Sequence, residues 1–274
     1  MKLFSFFLIL VTSFSYNMDK TIYFLHLSQN SYCSDDSLIN WNCKLCENTD
    51  ILENIIDNNG ARALIGYSSS YNSLFVSFRG SENIQNWIDN IHVGFVYPYT
   101  SYNETWNNIG IEKGFYNVYQ YIKDDILKKI NELSYKYKTN QIITTGHSLG
   151  GISTIFSFEI SNFYPDFVIN HDITFGSPRI GNKEFTNMFK LSNIPSYRIT
   201  HYYDMVPHLP QELLNYHHIL GEVWFNEKNT MYQICDDYID EDDECSNSCG
   251  PLKCTSIDDH LNYLNISMGS DGDC

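Results

Sequence analysis

Ser148 stands two residues after Gly146 and two before Gly150, with Gly151 next in line. A short β-branched apolar run over 142–145 leads into this Gly-x-Ser-x-Gly pattern, and residues 152–158 read as a helix after it. Strand, tight turn and helix in that order would hold the Ser148 hydroxyl on a strained elbow, exposed for nucleophilic attack. The turn demands small residues, because a side chain at 146 or 150 would collide with the neighbouring strand or helix. It also aims the Leu149 N–H, near a helix N-terminus, at a developing oxyanion. The chemistry implied is acyl transfer through a covalent serine intermediate.

A serine hydroxyl is a poor nucleophile near pH 7 unless a base lies within hydrogen-bond reach and a carboxylate orients that base. In α/β-hydrolases, whose elbow this pattern matches, the chain order is serine, acid, histidine. Function there lies at the carboxyl ends of the strands. Asp166 and Asp172 precede or sit inside the strand that follows the elbow, at the wrong end. Asp204 stands where the next strand, 197–203, ends, and is the expected acid. Among the nine histidines, His26, His92 and His147 precede Ser148, and His171 and His201 precede Asp204. His208 is too close to Asp204 to lie beyond a further strand, and His217 and His218 open a strand. His260 follows the last strand through a long cysteine-bearing loop and is the expected base. Asp258 and Asp259 beside it are poorly placed to reach its far ring nitrogen. Ser81, at the end of strand 74–78, can offer both N–H and hydroxyl as the second oxyanion donor.

The elements that must position these residues follow from periodicity. Residues 16–60 read as a lead-in with a short helix at 51–56. Strands at 63–67 and 74–78 flank a polar turn. Ile84, Trp87, Ile88 and Ile91 fall on one stripe of a short helix over 82–90. Periodicity by itself favours a helix packed permanently on the sheet; a mobile flap over a pocket is the alternative. Residues 94–111 read as loop. The best helix is 114–137, with Phe115, Val118, Tyr119, Ile122, Ile126, Ile130 and Leu133 on one face. A strand at 167–175, a helix at 182–191, a strand at 197–203 and a last strand at 218–225 complete the pattern. Strands alternating with helices predict one α/β domain over 16–274, a mostly parallel sheet with helices on both faces.

Composition bounds the function. The chain has 274 residues, 43% hydrophobic and 18% charged, which excludes a disordered chain. Its formal net charge of −16 excludes nucleic acid as a partner and tends to repel anionic headgroups. Lys2, an apolar run over 3–11 and the small residues Thr12, Ser13 and Ser15 predict a signal peptide over 1–15. That run is too short to anchor the chain in a membrane, and no later stretch is apolar enough. The eight cysteines, Cys33, Cys43, Cys46, Cys235, Cys245, Cys249, Cys254 and Cys274, are an even count. In an exported chain they predict disulfides rather than metal ligands. Asn103 and Asn265 head glycosylation sequons. The acidic run 236–244 lacks EF-hand spacing and reads as a solvated loop.

The chain resembles the secreted class 3 lipases of filamentous-fungal type. The resemblance rests on Phe78-Arg79-Gly80-Ser81, Asn86-Trp87-Ile88, Lys113-Gly114-Phe115 and the elbow. It continues through 174–182, Asp204-Met205-Val206-Pro207-His208-Leu209-Pro210, Glu222-Val223-Trp224, 245–248 and Asp259-His260-Leu261-Asn262-Tyr263. It implies Ser148, Asp204 and His260 as a triad, and Ser81 with the Leu149 N–H as the oxyanion hole. It also implies that the helix bearing Ile84, Trp87, Ile88 and Ile91 is a lid. It suggests pairing Cys33 with Cys274, Cys43 with Cys46, and Cys235 with Cys245, which leaves Cys249 and Cys254 as an extra pair. Glu112 departs from the family's frequent histidine, and the Cys249–Cys254 insert lies just ahead of His260. The expectation is a secreted serine ester hydrolase, a triacylglycerol lipase acting at lipid–water interfaces. It would be monomeric, need no metal or organic cofactor, touch lipid transiently, and end outside the cell or in a lysosome-like vesicle. The alternatives are a phospholipase A1 or monoacylglycerol lipase, a feruloyl-type esterase, and a catalytically inactive lipid-binding protein.

Overall fold

Alternating apolar residues and short polar turns build the central sheet. The computed structural model describes residues 16–274 except 92, 103 and 271–273. The expected signal peptide and the Asn103 sequon lie outside the described residues. Eight strands run in spatial order along the sheet: β1 (Asp50–Asn58), β2 (Ala61–Ser68), β3 (Ser73–Phe78), β4 (Gln141–His147), β5 (Val168–Phe175), β6 (Ser196–His201), β7 (Glu222–Phe225) and β8 (Tyr232–Ile234). Strands β3 to β7 are parallel; β1 and β2 add antiparallel at one end of the sheet and β8 at the other. This is the mostly parallel α/β architecture that the helix–strand rhythm predicts.

The two faces of the sheet divide the core. Along β3, Leu74, Val76 and Phe78 face one cluster while Phe75 faces the other, the period-two alternation of a strand buried on both sides. The first cluster is covered by α3 (Lys113–Tyr137) and α4 (Ser153–Phe163), with α5 (Lys183–Leu191) beside them. Helix α3 buries Phe115, Tyr119, Ile122, Ile126, Ile130 and Leu133, the stripe expected of it. Glu112 caps it by accepting the Phe115 N–H at 2.6 Å. The second cluster lies under α1 (Met18–Asn30), through Phe24, Leu25 and Leu27. A short helix, α2 (Ile84–Asp89), follows β3, and α6 (Ile257–His260) ends at the expected base.

Several expectations need correction. Residues 51–56 are strand, not helix: they pair with β2 around an irregularity between Leu52 and Asn54, which blurs the strict alternation. Helix α1 is absent from the sequence reading, because polar Thr21, Ser28, Gln29 and Asn30 are buried along with its apolar residues. His218 is outside the last parallel strand, which covers only Glu222–Phe225, and Tyr216–His217 joins a separate four-stranded ribbon. The acidic run is not freely solvated. Arg179 holds Glu241 through two bonds of 2.9 and 2.7 Å, and Lys183 and His217 both reach Asp240. The four disulfides join Cys33 to Cys274, Cys43 to Cys46, Cys235 to Cys245 and Cys249 to Cys254. Among the described residues no helix is long and apolar enough to cross a membrane.

Candidate active site

Strand β4 ends at His147, and the chain turns at once into a tight 3-10 turn, Ser148–Ile152, that runs into α4. Ser148 adopts φ 59°, a left-handed conformation that a non-glycine residue holds only where its surroundings enforce it. The glycines explain how. A Cβ on Gly146 would lie 2.1 Å from the Gly150 carbonyl oxygen, and one on Gly150 would lie 2.3 Å from that of Phe78. Only bare backbone passes here, so β3, β4 and the elbow close on one another and lift Ser148 to the carboxyl end of the sheet.

Asp204 follows β6 at the same end. An isolated bridge between Asp204 and Ser256 brings the distant segment carrying α6 beside it. Ser256 caps α6 by accepting the Asp259 N–H at 3.0 Å. His260 then points Nδ1 at the Asp204 carboxylate, 2.9 and 3.0 Å from its two oxygens. Asp204 is further held by the Val206 N–H at 2.8 Å and by the Tyr263 hydroxyl at 2.6 Å. Burial, and then the Asp204 charge, push the Tyr263 hydroxyl well above the ordinary phenol range, so it stays a donor. With Nδ1–H committed to Asp204, the Nε2 of neutral His260 carries the lone pair.

The Ser148 Oγ and His260 Nε2 are both buried and have no hydrogen-bond partner among the described residues. Both residues line one cavity of about 180 Å³, together with Ser81, Glu82, Ile84, Leu261 and Met268. Ser148 is only 1% exposed. Ile84 of α2 belongs to the cavity wall, and Trp87 and Ile91 pack on the first core cluster, with Trp87 stacked on Phe115 at 5.9 Å. Ile88 shares the half-buried face of α2.

The structure thus brings Ser148, Asp204, His260 and Ser81 to one place, with Leu149 opening the turn after the serine. It leaves the competing residues elsewhere. Asp172 is sealed beneath α4, accepting hydroxyl bonds from Thr144, Ser153 and Thr154. Asp259 accepts the Tyr203 N–H instead of orienting the imidazole. Asn265 lies exposed at the tip of the hairpin Asn262–Tyr263 and Ile266–Ser267. Two neighbours escaped the sequence reading. Tyr263 lies within the Asp259–Tyr263 motif, where nothing local signals a role, and His147 precedes the serine in a fold whose base follows it. His147 stacks on His260 at 4.5 Å and bonds to the His260 carbonyl at 2.8 Å.

A parallel sheet carrying a strained serine elbow, with a histidine–aspartate pair converging on it, defines an α/β-hydrolase. Residues 75–214 match the family model described as Lipase (class 3). The chain is 29% identical over 271 residues to a lipase of Rhizomucor miehei, covering 93% of this chain and 70% of that protein. It is 29% identical over 171 residues to secreted mono- and diacylglycerol lipase 1 of Fusarium solani, covering 61% of this chain and 48% of that one. It also superposes on a triacylglycerol lipase whose catalytic centre is described as a serine protease triad. There the TM-score is 0.81 and the identity 26%, over 92% of this chain and 96% of that one. The chain belongs to the class 3 lipase family, and it is an ester hydrolase.

Proposed function

We propose that this protein hydrolyses triacylglycerol at a lipid–water interface, with Ser148 as nucleophile, His260 as base and Asp204 as its orienting acid. The observation that carries the reading is the His260 ring. Its Nδ1 is clamped on Asp204, while its Nε2 and the Ser148 hydroxyl are left unbonded on one cavity. Ser148 Oγ attacks the ester carbonyl as its proton passes to His260 Nε2. The Ser81 and Leu149 donors bind the oxyanion, each worth roughly 2.7–4 kcal/mol of barrier. Collapse of the tetrahedral intermediate breaks the bond to the glycerol oxygen, which takes the proton from His260. Water then attacks the acyl-serine, giving its proton to His260, and the freed acid leaves as Ser148 is reprotonated.

Helix α2 acts as a lid in this reading. Exposing Ile84, Trp87, Ile88 and Ile91 to water costs at most about 1.5–3 kcal/mol each. A lipid surface removes much of that cost, so opening is favoured there. Export is supported by four disulfides and by a relative named as secreted. Asn265, exposed, is an acceptor for a glycan, and the protein acts as a monomer.

The test is initial rate against tributyrin concentration, carried through the solubility limit with Ser148→Ala as blank. A jump when the emulsion forms is the expected result. A smooth curve saturating below that limit points to an esterase for soluble esters. No rate above the blank rejects the triacylglycerol reading, and phospholipid and monoacylglycerol become the substrates to assay.

A further inference from the structure

Beyond the groups that would touch substrate, one buried chain of hydrogen bonds joins three site segments. His147 Nε2 lies 2.8 Å from the carbonyl oxygen of His260, and its Nδ1 lies 2.8 Å from the Tyr32 hydroxyl. A carbonyl only accepts, so Nε2 carries the hydrogen. Burial, and then the neighbouring His260, hold the His147 ring well below the ordinary histidine range, so the ring is neutral and Nδ1 keeps its lone pair. The Tyr32 O–H therefore donates to Nδ1. The Tyr32 oxygen also packs closely on the backbone of Gly80. Gly80 must be glycine for this, because a Cβ there would lie 2.1 Å from the Tyr32 oxygen.

The direction of both bonds is thus set: Tyr32 O–H to His147, His147 N–H to the backbone of His260. Each partner is a site residue or its neighbour. Gly80 precedes Ser81, His147 precedes Ser148, and His260 is the base itself. Tyr32 comes from just beyond α1, ahead of Cys33 and its bridge to Cys274.

We propose that Tyr32 and His147 are positioning residues: their two hydrogen bonds, with the packing of Tyr32 on Gly80, register the Ser81 loop and the His260 backbone on the nucleophile strand. The proposal rests on the reading of Ser148, His260 and Ser81 given above. The relay matters because oxyanion donors and base must both meet one tetrahedral centre, and a misplacement of about 1 Å can cost roughly a hundredfold in rate. Its effect falls on the transition state, so it appears in kcat rather than KM.

The test uses the full chain with p-nitrophenyl butyrate below its solubility limit, which keeps lipid out of the assay. Tyr32→Phe removes one oxygen atom. Its kcat is expected to fall roughly tenfold with KM within about twofold, and fluorophosphonate labelling of Ser148 to slow in parallel. His147→Phe keeps a ring against His260 and loses both bonds, so it is expected to fall at least as far. The double variant is expected to be no slower than His147→Phe, since both changes cut one relay. His147→Gln, whose amide can donate to the carbonyl and accept from Tyr32, is expected to recover most of the loss.

A folded Tyr32→Phe protein with unchanged kcat overturns the proposal, and so does a double variant whose losses multiply. A lowered unfolding midpoint with unchanged kcat also overturns it, because the contacts are then only structural. If His147→Phe does not fold, Tyr32→Phe and His147→Gln decide. Ser148→Ala at the wild-type rate overturns the site reading itself, and the relay with it; an inactive Ser148→Ala beside an unaffected Tyr32→Phe overturns the relay alone.

Discussion

Tyr263 donates its hydroxyl to the same oxygen of Asp204, Oδ2, that His260 Nδ1 approaches, at 2.6 Å against 2.9 Å. The carboxylate is 2% exposed, and Val206 N–H takes its other oxygen at 2.8 Å. A buried ionised acceptor that loses a donor has no water to replace it. Tyr263→Phe is therefore expected to destabilise the fold by about 1.5–3 kcal/mol at neutral pH, read as a lower urea midpoint. An unchanged midpoint would mean that Tyr263 merely fills space.

Ser81 lines the cavity with Ser148 and His260, at the exit of β3. Ser81→Ala removes the hydroxyl and keeps the N–H. Turnover of a soluble ester is expected to drop roughly a hundredfold while the unfolding midpoint holds, the pattern of a lost oxyanion donor. Normal turnover would remove the Ser81 hydroxyl from the site and leave only its N–H as a donor.

Trp87 fastens α2 by stacking on Phe115 with the ring planes 18° apart. Losing that stack weakens the closed state by roughly 1 kcal/mol, about fivefold in the closed-to-open ratio. Trp87→Ala should raise the rate on dissolved p-nitrophenyl butyrate and shrink the jump at the tributyrin emulsion. A larger jump in the variant would show that Trp87 serves the open form instead.

Acid is expected to unfold the protein early. His147 and His218 are held well below 6.5 and His171 down to about 4, each chiefly by burial. Positive neighbours add to this: Arg198 and Arg179 at His218, and Lys20 at His171. Above pH 6.5 these rings are neutral in the folded and unfolded chain alike. Below it the unfolded chain takes up protons that the folded rings refuse, so stability is lost as pH falls toward about 4, at about 1.4 kcal/mol per pH unit for each proton. Asp172 acts in the opposite sense. Burial raises it from 3.8 to about 6, so the folded state gains a proton first and is favoured as pH falls through that window. Four lowered rings, His208 included, against two raised carboxylates, Asp172 and Asp50, leave acid the net loser. Urea midpoints at pH 7.5 and 5 should differ clearly in favour of 7.5. Equal midpoints would show that these rings are not held neutral in the fold.

The sequence by itself determined the chemistry and its order along the chain. The elbow demands Gly146 and Gly150 whatever else folds, because its sterics are local. Asp204 and His260 followed by elimination, since strand ends can be counted from periodicity. The stripe of α3 was readable for the same reason: one face is buried and one wet, so the pattern survives in the residue order.

What periodicity does not carry, only the tertiary structure decided. Residues 51–56 fit helix and strand spacing alike, and pairing with β2 chose the strand. Helix α1 lies against the sheet with polar residues buried beside apolar ones, so its amphipathic signal cancels. Tyr32, His147 and Tyr263 act through contacts with residues 59 to 115 positions away, which no local pattern records. The position of α2, with Ile84 over the cavity and Trp87 on Phe115, is likewise a packing outcome. Its apolar stripe is the same whether the helix is fixed core or a lid, because burial against protein and burial against lipid ask for the same side chains.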